Sequence, residues 1–103
     1  MNLNETAINA YNTALKRQKN GGNVKVAEIM KHCAGEVIEA QEAFILWKYD
    51  AYDPVKYAEE LADVIICALI AAGRDEIDIE KAVNEKMQKN AQRAAMQGGI
   101  NYD

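Results

Sequence analysis

Long stretches without a helix-breaking residue constrain this chain more than any other feature of its sequence. The 103 residues contain one Pro and six Gly, and the pairs Gly21-Gly22 and Gly98-Gly99 account for four of these glycines. Because Pro and Gly interrupt helices more strongly than any other residues, the segments between them favour long helices. No segment is typical of a strand. We therefore predict an all-α protein.

Apolar residues at helical spacing predict four helices, at residues 3–19, 24–48, 55–72 and 79–95. The turn signal of residues 20–23 separates the first two helices. Asp53 followed by Pro54 is typical of a helix start, Gly73 is predicted to end the third helix, and Asp78 is predicted to cap the fourth. The third helix is apolar over most of its surface, so we expect it at the centre of an antiparallel four-helix bundle.

The size and charge of the chain limit its partners. We expect one domain over residues 1–95 and a flexible tail over residues 96–103. A core this small favours assembly as a dimer or tetramer. The net charge is −4 and no basic run is present, which argues against a nucleic-acid polymer as partner. The longest apolar run, residues 64–72, is too short to span a membrane, and no secretory signal is visible.

Two cysteines bear on the cellular compartment. Cys33 and Cys67 fall in predicted helices and lack the C-x-x-C spacing of a redox or metal motif. We interpret them as small buried or half-buried residues of a reducing compartment, not as a disulfide pair. A cytoplasmic location is therefore expected.

Two acidic pairs are the strongest functional signal. Glu36 and Glu39 lie in the second predicted helix, and Glu60 and Asp63 lie in the third. A spacing of three residues is just under one helical turn, so each pair projects from one side of its helix. Either pair alone is common on a solvated surface. Two pairs facing each other across antiparallel helices would form a cage of hard oxygen ligands, which suits Mg²⁺ or Mn²⁺.

Further residues are candidates for contacts with a substrate. Lys86, Asn90 and Arg93 share one stripe of the fourth helix and can hold phosphate oxygens, although a basic face near a helix C-terminus is also ordinary. His32 shares the face of Glu36 and is interpreted either as a phosphate contact or as a packing residue. Trp47 is a candidate for stacking on a nucleobase, or alternatively part of an apolar plug or subunit contact.

Three segments together resemble a known family. GEVIEAQEA at residues 35–43, EELADVI at 59–65 and AVNEKMQKNAQR at 82–93 are similar to the MazG-like nucleoside triphosphate pyrophosphohydrolases of the all-α NTP pyrophosphatase superfamily. The resemblance covers residues 27–95. The E-x-x-E motif alone is weak, whereas the ordered set of E-x-x-E, E-x-x-D and K-x-x-x-N-x-x-R is fairly specific.

The resemblance implies a fold, an activity and a set of site residues. The implied activity is Mg²⁺-dependent cleavage of a (deoxy)nucleoside triphosphate into the monophosphate and pyrophosphate, in the service of nucleotide-pool housecleaning. It makes the four acidic-pair residues the catalytic metal ligands and gives Glu42 a supporting acidic role. It also assigns Lys86, Asn90 and Arg93 to the phosphates.

One alternative function is rejected and two stay open. An oxygen-activating di-iron bundle needs Glu-x-x-His motifs, and His32 does not follow any Glu at that spacing. A non-catalytic, metal-stabilised interaction or regulatory protein of the same fold stays open. So does a role similar to phosphoribosyl-ATP pyrophosphohydrolase, which substrate profiling distinguishes.

Overall fold

The computed structural model describes residues 2–18, 24–49 and 54–97. These residues form four helices and no strand, namely α1 (Leu3–Lys16), α2 (Val26–Tyr49), α3 (Pro54–Arg74) and α4 (Ile79–Gln97). The predicted all-α class is thereby confirmed. Pro54 is the first residue of α3 as predicted, and α4 continues beyond the predicted Ala95. The predicted turn at residues 20–23 and the predicted cap at Asp53 lie outside the described residues.

Side chains cap two of the helices. At the start of α1, the Asn2 carboxamide oxygen accepts hydrogen bonds from the backbone N–H groups of Asn4 and Glu5. At the start of α4, the Asp78 carboxylate accepts one from the N–H of Lys81 at 3.1 Å, which is the predicted N-cap. Each cap satisfies N–H groups that have no partner within the helix.

The prediction that Gly73 ends α3 was wrong. Gly73 lies inside the helix, and a Cβ at this position would stand 2.9 Å from the Tyr11 Cβ and closer still to the Ala7 carbonyl. The glycine is therefore a site of close approach between α1 and α3. The helix ends at Arg74. Just beyond it, Glu76 lies in the left-handed region (φ 55°) and the N–H of Ile77 donates to the Ala72 carbonyl.

The third helix is central, as the sequence predicts. It packs against both α1 and α2. One core cluster joins Ala7 of α1 to Leu69 and Ala72 of α3. A second joins Cys67 of α3 to Val24 and Ile29, with α1 residues packed around it. Residues near the start of α2 contact residues near the end of α3, and residues near the end of α2 contact residues near the start of α3. These two helices are therefore antiparallel.

The fourth helix meets the rest of the molecule near its start. Asn4 donates to Asp78 at 2.9 Å and accepts from the N–H of Glu80 at 3.1 Å, while Ile79 packs on the first core cluster. Residues 81–93 are all exposed. The radius of gyration is 16.3 Å, against about 13 Å for a compact domain of this length. The chain therefore forms an extended helical body.

Among the helices that the structure describes, none has the length and apolar character needed to cross a membrane.

Candidate metal centre

The antiparallel packing of α2 and α3 brings the acidic pairs together. Oxygen atoms of Glu36, Glu60 and Asp63 all lie within 4.8 Å of one another. We call these three residues the acidic triad. It contains carboxylates from both helices, as the spacing of the two pairs predicts.

Burial makes this triad unlike a solvated acidic face. Glu60 is only 5% exposed, and the Glu36 side chain is 12% exposed. The Oε2 atom of each is buried and has no hydrogen-bond partner among the described residues. Buried carboxylate oxygens without a partner are costly, since they lose the hydration of a charged group and gain nothing in return. A cation between them would remove that cost.

Glu39, the partner of Glu36 in the first acidic pair, lies at the edge of the triad. Repulsion from the Glu36 charge raises the pKa of Glu39 above its ordinary value of 4.5, and the neighbouring Glu60 carboxylate raises it further. A raised pKa of this kind is the response of a carboxylate to neighbouring like charge. The metal-free protein therefore concentrates more negative charge here than its own cations balance.

Two basic side chains touch the triad. The Lys56 ammonium lies 2.6 Å from Glu60 Oε1, and this contact lowers the pKa of Glu60 although burial acts in the opposite direction. His32 Nε2 lies 3.1 Å from Glu36 Oε1, so the two side chains share one face of α2, as their spacing predicts. Sequence reasoning assigned no role to Lys56, whose position four residues before Glu60 was its only signal.

Two cavities adjoin at the α2 face of the site. An acidic cavity of about 390 Å³ is lined by Glu28, Lys31, His32, Gly35, Glu36 and Glu39. A larger and mostly apolar groove of about 620 Å³ lies between α1, α2 and α3 and shares Glu28 and His32 with the acidic cavity. Glu36 and Glu39 thus border a space large enough for a small organic ligand.

The donor set fits a hard divalent cation. Carboxylate oxygens alone are typical ligands of Mg²⁺ and Mn²⁺, which prefer oxygen to nitrogen or sulfur. The two unpartnered oxygens of Glu36 and Glu60 provide positions for such an ion, and the exposed Asp63 leaves the site open to solvent on one side. Such an ion keeps several water ligands when proteins bind it this way.

The remaining predicted site residues lie elsewhere. Lys86, Asn90 and Arg93 are exposed on α4, and no hydrogen bond or ion pair within the described ranges connects them to the triad. Glu42 is exposed on α2. Trp47 stacks on Tyr57 with ring centroids 5.6 Å apart. Lys48 Nζ lies 3.9 Å from the centroid of the Trp47 ring.

The interpretation of the cysteines as unpaired was wrong. Cys33 of α2 and Cys67 of α3 form a disulfide, with Cα atoms 5.6 Å apart. The burial prediction was correct, because Cys67 is buried and Cys33 half-buried. The pairing was missed because 34 positions separate the cysteines, and only the antiparallel contact of two helices brings them together.

Comparison of the chain with family profiles, characterised proteins and solved structures finds no significant match.

Proposed function

We propose that this protein is a divalent-cation-dependent nucleoside triphosphate pyrophosphohydrolase of the MazG-like type. The acidic triad carries the proposal, because two of its buried carboxylate oxygens have no partner among the described residues. Carboxylates that packed helices hold close together repel one another at neutral pH, and a bound cation offsets this repulsion. The segments at residues 35–43, 59–65 and 82–93 supply the link to nucleotide cleavage.

The chemistry follows from the charges. Glu36, Glu60 and Asp63 would hold Mg²⁺ or Mn²⁺, with Glu39 beside them. A bound divalent ion polarises phosphate oxygens and lowers the pKa of a bound water. The carboxylates themselves orient water by accepting its hydrogen bonds, and one that is not committed to the ion can accept a proton. A triphosphate, being an anion, needs the cation to approach this acidic surface.

The neighbouring groove supports a nucleotide as the ligand. It is mostly apolar and adjoins the acidic cavity through Glu28 and His32. A nucleoside has an apolar ring face with polar edges, whereas its phosphates require charge compensation. We therefore assign the nucleoside to the apolar groove and the phosphates to the triad, with Lys31 in the wall of the acidic cavity.

We further propose that the functional unit is a dimer or tetramer. Several large apolar side chains of α2 and α3 are half or more exposed, among them Val37, Ile38, Val55 and Ile65. Apolar surface of this kind on a small domain marks a contact with another chain. Lys86, Asn90 and Arg93 lie on the exposed α4, and we assign their phosphate contacts to this assembly. A monomeric mass in sedimentation at micromolar concentration would contradict the assembly.

Pyrophosphate release tests the activity. Wild-type protein is incubated with each (d)NTP in the presence of Mg²⁺ or Mn²⁺, beside the variants Glu39→Gln and Asp63→Asn. We expect metal-dependent release by the wild type, a loss of at least a hundredfold in both variants, and normal release by Glu85→Gln, which removes an exposed carboxylate of α4. If the folded wild type releases no pyrophosphate from any nucleotide, the non-catalytic, metal-stabilised alternative replaces the enzyme. A role in nucleotide-pool housecleaning is part of the same proposal.

A further inference from the structure

The ion pair between Lys56 and Glu60 joins a solvated cation to a buried carboxylate. The Lys56 side chain is 53% exposed, whereas that of Glu60 is 7% exposed, and their charged atoms are 2.6 Å apart. Lys56 lies one turn before Glu60 on α3, so its long aliphatic stem reaches inward from the surface.

A second pair with the same helical spacing shows what is ordinary. Lys81 and Glu85 of α4 are 3.9 Å apart, and both side chains are more than half exposed. Such a pair contributes little, because water solvates both partners. Lys56 differs because its partner has lost water. Glu60 therefore depends on Lys56 for compensation of its charge.

The same carboxylate belongs to the acidic triad. Lys56 holds Glu60 Oε1, while Oε2 is buried without a hydrogen-bond partner among the described residues. A divalent cation bound by Glu36, Glu60 and Asp63 would stand close to the Lys56 ammonium, and two cations near one carboxylate repel each other. The exposed stem of Lys56 allows the ammonium to leave without disturbing the helix.

We propose that Lys56 is an exchangeable counterion of the metal centre, neutralising Glu60 in the metal-free protein and moving into solvent when a divalent cation binds. This inference rests on the metal site of the proposed function, but not on catalysis. Its consequence is that Lys56 lowers the affinity for free cations and keeps the empty site stable. The residue thus sets the cation concentration at which the site fills.

Titration with Mn²⁺, followed by the loss of its electron paramagnetic resonance signal, tests the proposal without nucleotide. We expect Lys56→Met and Lys56→Gln to bind Mn²⁺ on the order of tenfold more tightly than the wild type, because a unit positive charge near the ion is removed. Lys56→Arg keeps the charge and should bind as the wild type does. Lys81→Met is the matched control from the exposed pair and should also be unchanged.

The outcomes separate this inference from the proposed function. Equal or weaker Mn²⁺ binding by both uncharged variants, with folding verified by circular dichroism, would overturn the counterion role. Tighter binding by these variants supports that role even if no nucleotide is cleaved, in which case only the proposed activity fails. If the wild type releases pyrophosphate but Lys56→Met and Lys56→Gln bind Mn²⁺ with the same affinity as the wild type, only the inference about Lys56 is overturned.

Discussion

Cys33 and Cys67 are joined by a disulfide that links the two helices carrying the acidic pairs. Glu36 lies on the turn after Cys33, and Asp63 lies on the turn before Cys67. The cross-link therefore fixes the distance between α2 and α3 beside the acidic triad. Cys67 also packs in the second core cluster with Val24 and Ile29, so the link is anchored in the core.

Reduction of this disulfide should destabilise the protein. The cysteines are 34 positions apart, and releasing a loop of that length costs about 3–4 kcal/mol in the chain-entropy description of disulfides. Urea unfolding with and without a phosphine reductant measures the difference. A Cys33→Ser, Cys67→Ser double variant is the control, since reductant should not affect it. Equal midpoints for the oxidised and reduced wild type would rule out the link as a stabilising element.

Two glycines in helices should respond to alanine in opposite ways. Gly73→Ala places a Cβ against Ala7 and Tyr11, so we expect a loss of about 1–3 kcal/mol from overpacking. Gly35 has nothing within 4 Å of its added Cβ, and its replacement should stabilise α2 by about 0.5–1 kcal/mol through helix propensity. Chemical denaturation of both variants measures the contrast. Equal effects at the two positions would argue against the close contact of α1 and α3.

The hydrogen bond from the Asn4 side chain of α1 to Asp78 should make the stability of the protein depend on pH. The Asn4 side chain and the N–H of Lys81 donate to Asp78 and lower its pKa below the ordinary 3.8. Because the folded pKa lies below the unfolded one, this stabilisation is complete above about pH 5 and is lost as the pH falls through the folded value. Asp78→Asn has no carboxyl group to titrate at this position. The difference in free energy of unfolding between this variant and the wild type should therefore be smaller below pH 4. Unfolding series at pH 7, 5 and 3 measure this difference.

An Asn4→Ala variant is the control for this pH effect. It removes the first cause of the lowered pKa of Asp78, so the loss of stability between pH 5 and pH 3 should be smaller than in the wild type. If the difference in free energy of unfolding between Asp78→Asn and the wild type is the same at every pH, Asp78 is excluded as the titrating group.

The repulsion inside the metal-free site should be visible in the titration of Glu39. Its pKa is raised chiefly by the charge of Glu36. This raised pKa means that the empty fold loses stability as the pH rises through the folded value of Glu39. In Glu36→Gln the pKa of Glu39 should move back towards 4.5, and the loss of stability should shrink. Carboxyl ¹³C NMR measures the titration, and an unchanged Glu39 curve would refute the coupling.

The spacing of the acidic residues predicted that carboxylates of α2 and α3 lie together. Pairs separated by three residues on consecutive helices face each other once the helices pack antiparallel, and α2 and α3 do so. The role of Lys56 was not predictable, because the sequence places Lys56 and Glu60 on one helical face but does not show that Glu60 is buried. The disulfide was missed for a similar reason, since only the contact of α2 with α3 brings the cysteines together.

Helix ends and helix placement were predicted less well than the approach of the acidic residues of α2 and α3. Gly73 was interpreted as a helix end because glycine often occupies that position, whereas here the small residue is required by contact with α1. The exposure of residues 81–93 was also not predicted. A polar helix shows the same residue pattern whether it covers a bundle or projects from one, so its placement depends on contacts made elsewhere.

Equilibrium binding of Mn²⁺ to Asp63→Asn tests the central claim most directly. Asp63 is exposed, so its replacement leaves the core intact, and Glu59→Gln removes an exposed charge from the same helix as a matched control. If the proposed metal centre is correct, we expect the wild type and Glu59→Gln to bind Mn²⁺ with the same affinity and Asp63→Asn to bind it at least tenfold more weakly. Equal binding by all three proteins, or no binding by the wild type, would contradict a metal centre formed by Glu36, Glu60 and Asp63.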